Sequence, residues 1–205
     1  GRRNRIAGKH AIFAAPRFIA PKLIAKLPPA QRAPTGVRYA PWLVANISLT
    51  RLPGGEHAAL SWDNVNYHSR ALGYIVATHQ NLTLHPTKTV ITYYLPLDEQ
   101  DPAQARKAAL NKTHAQWAGA IVADLSRMHP AIADDIEWID VWIWGHGMSS
   151  PDVGFLWSEA RRAMRQPAGR IHFAHSDMSG ISLFEEAQYR GVQAAQQVLA
   201  AVAHG

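Results

Sequence analysis

The chain reads as an α+β protein with α/β character at its two ends, and three observations predict it. Between Trp42 and Leu97, short runs of alternating apolar and polar residues are separated by turn residues, the pattern of an antiparallel sheet. A long helix opens at Asp101-Pro102, with aspartate at the cap and proline at the first helical position. The last stretch, RQPAGRIHFAHSDMSGISLFEEAQYRGVQAAQQVLAAVAHG, orders a short apolar strand, a loop with one acid and a signalled helix.

Taken in order, His10 to Ala15 reads as a strand stopped by Pro16, and the proline-rich, basic segment from Lys26 to Pro41 as a connection. From Trp42 to Leu49 the residues Leu43, Ala45, Ile47 and Leu49 share one face of a half-buried strand. Pro53-Gly54-Gly55 is a turn, and further strands are expected over Ala59–Val65, Gly73–His79 and Thr89–Leu97. The helix from Asp101 is expected to bury Leu110, His114, Trp117, Ile121, Leu125 and Met128, with His114 packed in the core. It should end at Met128-His129, because the residue before Pro130 is pushed out of helical geometry. In the strand Glu137 to Trp144, tryptophans 138, 142 and 144 alternate with Ile139, Val141 and Ile143, so both faces should be covered. Gly145 to Trp157 reads as a loop and Ser158 to Arg165 as a short helix. In the terminal segment, Arg170 to Ala174 is the strand, Asp177 and Gly180 lie in the loop, and Ser182 with Glu185 forms a capping box. The stripe Phe184, Ala187, Gly191, Ala194, Ala195, Val198, Val202 follows it. That order can bring a carboxylate and helix-start N–H groups to one bound molecule. It is equally the pattern of an ordinary terminal helix packed on a sheet.

Composition narrows the chemistry. With 205 residues, 47% hydrophobic and 18% charged, the chain is long enough for one or two packed domains. It contains no cysteine, which excludes disulfides, thiolate metal sites and thiol nucleophiles. No apolar run approaches the roughly 20 residues of a membrane-spanning helix. The net charge is +6, and ten Lys or Arg precede the first acid, Glu56. Such asymmetry can mark a nucleic-acid module, but here the basic residues alternate with apolar ones and no aromatic platform accompanies them, so no nucleic-acid partner is expected. The Arg2-Arg3 pair resembles an export signal, but Lys9, Pro16, Arg17 and Pro21 interrupt its apolar core. Gly145-His-Gly147-Met-Ser-Ser150 imitates a dinucleotide fingerprint but lacks the third glycine and is followed by Pro151. His172 and His175 point in opposed directions if Arg170–Ala174 is a strand, so no metal site is expected with Asp177. Asp124, Asp134, Asp135 and Asp140 show no paired acid/base spacing, and no serine sits in a nucleophile elbow.

GRIHFAHSDMSG with SLFEEAQYRGVQAA resembles the C-terminal flavin-binding signature of the flavin-dependent amine oxidoreductases, a strand "RI-x-FAG", an acid and a helix "EGA…SG…AA". Arg170, Ile171, Phe173, Ala174, Asp177, Glu185, Ala187, Gly191, Ala194 and Ala195 hold the matching positions. Lys9 to Pro16 resembles the strand by which such chains return to the flavin domain, and Tyr39–Leu52 with Trp62–Leu97 resembles the substrate-domain sheet of a bacterial subgroup of FAD/NAD(P)-binding oxidoreductases. The resemblance implies an antiparallel substrate-domain sheet with a long helix, inserted between partial pieces of an FAD-binding, Rossmann-like domain. The implied segments are 1–38 (partial FAD-binding domain), 39–157 (substrate-binding domain) and 158–205 (flavin-contacting strand and helix). It also implies FAD as cofactor, a small-molecule substrate, and hydride transfer to the flavin with little acid/base machinery. Asp177, Met178, Gly180, Ser182, Leu183 and Phe184 would contact the cofactor, with Asp177 at a cofactor hydroxyl and the Phe184 N–H toward the pyrimidine end of the flavin ring. Trp144, His146, Phe155 and Trp157 would line the substrate cavity, although ordinary packing explains those four as well.

Three departures accompany the match. The chain has no G-x-G-x-x-G at its start, so the adenine and pyrophosphate site is expected in a missing N-terminal half. Leu183 stands where amine oxidases often carry an aromatic residue, leaving an amine cage short of one wall. His175 replaces the glycine of "FAG". The competing expectation is a truncated, non-catalytic remnant that binds no flavin alone and interacts through exposed apolar surface.

Overall fold

The structure, a computed structural model, describes residues 4–32, 36–54, 61–77, 82 and 87–203. The first half runs through β1 (Ala11–Phe13), a 3-10 turn (Arg17–Ile19), α1 (Ala20–Leu23), α2 (Pro29–Arg32), β2 (Val37–Leu49), β3 (Asp63–Asn64), β4 (Gly73–Val76) and β5 (Thr89–Pro96). Then come α3 (Pro102–Asn111), α4 (His114–Leu125), α5 (Ile132–Asp135), β6 (Ile136–Pro151), a 3-10 turn (Phe155–Trp157), α6 (Glu159–Met164), β7 (Ile171–Phe173), a 3-10 turn (Ser176–Met178) and α7 (Phe184–Ala203). The fold is mixed α+β, with an antiparallel sheet in the order β3-β4-β5-β2-β6 and a parallel pair β1-β7. The chain divides into two units: Tyr39–Met148 forms one, and the described residues of Gly1–Arg38 with Ser149–Gly205 form the other.

The unit Tyr39–Met148 is built on strand alternation. Leu43, Ala45, Ile47 and Leu49 of β2 are buried, and Ala45 and Ile47 pair in register with Tyr93 and Ile91 of β5. Trp117, Ile121 and Leu125, spaced four apart on α4, pack in the same core. Burial of each such large side chain contributes roughly 1.5–3 kcal/mol. The hairpin into β4 needs glycine at Gly73: its φ is 106°, and a Cβ there would lie 2.0 Å from the Asn64 carbonyl oxygen. Of the strands expected at Ala59–Val65 and Gly73–His79, Ala59, Leu60, Thr78 and His79 lie outside the described residues, as does Gly55 of the turn.

The stretch expected as one helix from Asp101 is two. Lys112 is extended, and Thr113 caps α4: its hydroxyl accepts the Gln116 N–H while the Gln116 side chain accepts the Thr113 N–H. The Trp117 indole N–H donates to the Ala109 carbonyl at 3.2 Å, satisfying one acceptor at the end of α3. The break turns Leu110 and His114 outward. His114 is exposed rather than packed in the core, and its Nε2–H donates to the Ile139 carbonyl.

β6 also departs from expectation. It runs sixteen residues to Pro151, so Gly145 to Pro151 is strand rather than loop. Ile139, Val141 and Ile143 pack on the core, whereas Trp138, Trp142 and Trp144 are exposed, leaving one face of the strand uncovered. Gly147 serves close approach here, since a Cβ would lie 3.0 Å from the Trp42 side chain.

Candidate functional site

In the second unit, β1 and β7 pair in parallel with Ala11 opposite Ile171 and Phe13 opposite Phe173. The Ala174 N–H donates to the Phe13 carbonyl at 2.9 Å, carrying the pairing past the end of β7. Ala20, Leu27, Phe173 and Met178 form the small core beneath, and the Arg17 guanidinium lies 3.7 Å over the Phe173 ring.

Asp177 sits in the turn after β7 and is 2% exposed. Its Oδ2 accepts the Arg17 N–H at 2.9 Å, tying the turn to the chain just past Pro16. Its Oδ1 lies 3.0 Å from His175 Nδ1. With the ring neutral and its hydrogen on Nε2, that Nδ1 accepts the Asp177 N–H; when protonated, it donates to the carboxylate. Gly180 closes the turn at φ 69°, and a Cβ would lie 2.9 Å from the Phe155 ring. The expected cap at Ser182 is not formed. Helix α7 begins at Phe184, with the Ala187 N–H bonded to the Leu183 carbonyl, and Ser182 Oγ instead accepts the Ser149 N–H at 2.8 Å. The serine bonds a β6 neighbour rather than the helix, and the first helical residue is Phe184 instead of the expected Leu183.

Asp177, Met178 and Gly180 are thus buried within this unit, and Ser182 is half-buried. Leu183 is 54% and Phe184 78% exposed, so these two present side chains outward at the helix start. The N–H groups of that first turn have no intrahelical acceptor. Phe155 is buried and packs on Gly180 and Gly36, while Trp157 is exposed. Trp144 and His146 belong to the other unit, both exposed on β6, with the His146 ring 6.1 Å from that of Tyr39. Sequence reasoning missed Arg17, Ser149, Ser179 and Arg190. The visible signal was Arg190, a charge beside the small residues of the α7 stripe; it is buried, and its Nε–H donates to Ser179 Oγ at 2.8 Å.

Among the described residues no cluster of three or more His, Cys, Asp or Glu side chains could hold a metal ion. No helix of the described residues is long and apolar enough to cross a membrane.

By sequence, no family model and no curated protein matches the chain. Solved structures do. A redesigned variant of putrescine oxidase matches with a TM-score of 0.70 at 18% identity, covering 93% of this chain and 42% of its own. Cyclohexylamine oxidase from Brevibacterium oxydans matches with a TM-score of 0.68 at 17% identity, covering 95% and 42%. A protein from Exiguobacterium assigned as a protoporphyrinogen oxidase gives 0.62 at 14%, covering 93% and 41%. At these identities the likeness is one of fold alone, and the chain spans about two fifths of the length of these structures.

Proposed function

We propose that this chain supplies the substrate-side sheet and the C-terminal flavin-contacting strand and helix of an FAD-dependent, amine-oxidase-like oxidoreductase. Its dinucleotide-binding half would belong to a longer protein. In this reading, 1–38 and 158–205 are parts of the FAD-binding domain and 39–157 is the substrate domain. The observation that carries it is the parallel β1–β7 pair running through the Asp177 turn into the exposed start of a twenty-residue helix. The fold likeness to two amine oxidases supports it.

The residues present fit a flavin. Asp177, held by the Arg17 N–H and beside His175 Nδ1, lies in the turn between β7 and the helix start, where its carboxylate would meet a cofactor hydroxyl. The first-turn N–H groups, Phe184 among them, complement negative charge through the helix dipole. When bound, the flavin would supply the hydride acceptor for substrate oxidation. The chain's own contribution is positional. Arg17 and Phe155 fix the turn, and Met178 anchors it in the small core. Gly180, Ser182 and Leu183 carry the backbone to the helix start. Within the unit Tyr39–Met148, Trp144 and His146 would offer exposed aromatic surface to a small-molecule substrate; in the other unit, taken by itself, Trp157 is exposed and Phe155 acts from beneath the turn.

The test is to join the chain to an upstream dinucleotide-binding half and record the flavin absorption spectrum of the purified product. Bound flavin that is weakened by Asp177→Ala is the expected result. A folded but colourless fusion would overturn the proposal and favour the non-catalytic remnant, for which the exposed Leu183, Phe184, Tyr189 and Leu199 supply interaction surface.

A further inference from the structure

Helix α7 turns an unusual stripe toward β7 and α6. Arg190, Gln193, Ala194 and Gln197, spaced as one helical face, line a cavity of about 300 Å³ together with Arg162, Arg165, Gln166, Phe173 and Met178. All of these belong to the one unit that holds both chain ends. Phe173, Met178 and Ala194 make an apolar floor, whereas the glutamines and arginines supply donors.

The charge in this cavity is poorly balanced. Arg190 is 6% exposed, and a buried guanidinium needs a counter-charge or full hydrogen bonding. Its Nε–H is taken by Ser179, but Nη2 has the Glu186 carboxylate only at 3.9 Å, beyond hydrogen-bond length. That carboxylate oxygen itself has no hydrogen-bond partner. Burial pulls the Arg190 pKa below the usual arginine range, and the positive charges of Arg165 and Arg161 add to that, against the opposing pull of Glu186. Arg162 is paired with Glu159, and Arg161 is committed to the Leu156 and Met178 carbonyls. Four guanidiniums therefore face two carboxylates, with Arg190 at the floor and Arg165 on the exposed rim.

We infer that this cavity binds a small phosphate ester, its oxyanion held by Arg190 and Arg165 and its organic part lying on Phe173 and Met178. Planar guanidinium forks match phosphate oxygens in pairs, and neither the two glutamines nor the apolar floor would recognise a bare halide. The cavity shares Met178 with the turn assigned to the flavin, but Arg190 and Arg165, which hold the oxyanion, take no part in that assignment.

Calorimetric titration of the 205-residue chain with phenyl phosphate, inorganic phosphate and chloride at constant ionic strength tests it. Phenyl phosphate is expected to bind saturably and tighter than inorganic phosphate, with chloride inert. Arg165→Gln, an exposed change that leaves the core intact, should weaken binding about tenfold or more. Arg190→Lys should weaken it as well, since it keeps the charge but loses the fork. Lys22→Gln, which removes one positive charge outside the cavity, should leave it unchanged. Equal weakening in Arg165→Gln and Lys22→Gln would reduce the effect to net charge and overturn the inference, as would absence of saturable binding. Tighter binding of inorganic phosphate than of the ester would overturn the assigned organic part.

Discussion

Gly180→Ala probes the turn on which the candidate site rests. Two separate costs attach to the added methyl. The backbone at φ 69° lies in the left-handed region, where a residue with a Cβ loses roughly 1–2 kcal/mol. The new atom would also sit 2.9 Å from the Phe155 ring, an overpacking that costs roughly 1–3 kcal/mol. The expected total is about 2–5 kcal/mol, read as a lower urea midpoint at unchanged slope. Phe155→Leu withdraws the ring edge and so separates the two contributions. In that background, Gly180→Ala should cost only the backbone share, about 1–2 kcal/mol, leaving a coupling of about 1–3 kcal/mol in the double-mutant cycle. Equal costs of Gly180→Ala in both backgrounds would show that Phe155 does not press on the turn, and the account of how that turn is fixed would fail.

Three further outcomes follow from the geometry. Asp177→Ala removes the acceptor of the Arg17 N–H and should lower stability by roughly 1.5–3 kcal/mol in denaturant melts, with Asp177→Asn milder; no change would mean that the bond is not made. Thr113→Ala deletes the cap between α3 and α4 and should cost about 1 kcal/mol, with the loss of helical circular dichroism on warming setting in earlier. His129 accepts the Tyr74 phenol hydrogen at 2.7 Å, and its burial lowers its pKa from 6.5. The unfolded chain therefore takes up a proton at that position before the folded one does, so stability should fall as pH drops below about 6.5. A His129→Gln variant with the same acid slope would remove histidine from the explanation.

The strands of the sheet were legible because alternation and burial coincide: Leu43, Ala45, Ile47 and Leu49 can occupy a core only from one strand face. The break after Asn111 was not, because the apolar spacing runs on across it without glycine or proline. Its signal was the spacing Thr113-x-x-Gln116, a capping box inside what looked like a continuous stripe. Gly145 and Gly147 read as loop punctuation although β6 continues through them, since Gly147 serves the close approach of Trp42. At the site, the acid, the tight turn and the terminal helix were readable. The partners that hold them, Arg17 and Ser149, lie far away in sequence and leave no local pattern. Ser182 shows the limit of capping rules: a hydroxyl takes the best-placed donor, and here that donor comes from β6, 33 positions earlier in the chain.

The nearness of the Tyr39 and His146 rings has a consequence for the order of assembly. They stand at the entrance and exit of the continuous unit, so its collapse delivers residues 38 and 149 side by side. Joining Ala11 to Ile171 then no longer spans the whole intervening polypeptide but roughly a third of it, a saving of about 1 kcal/mol in closure entropy. Nucleation should therefore begin in the middle of the chain, and the two ends should zip together afterwards.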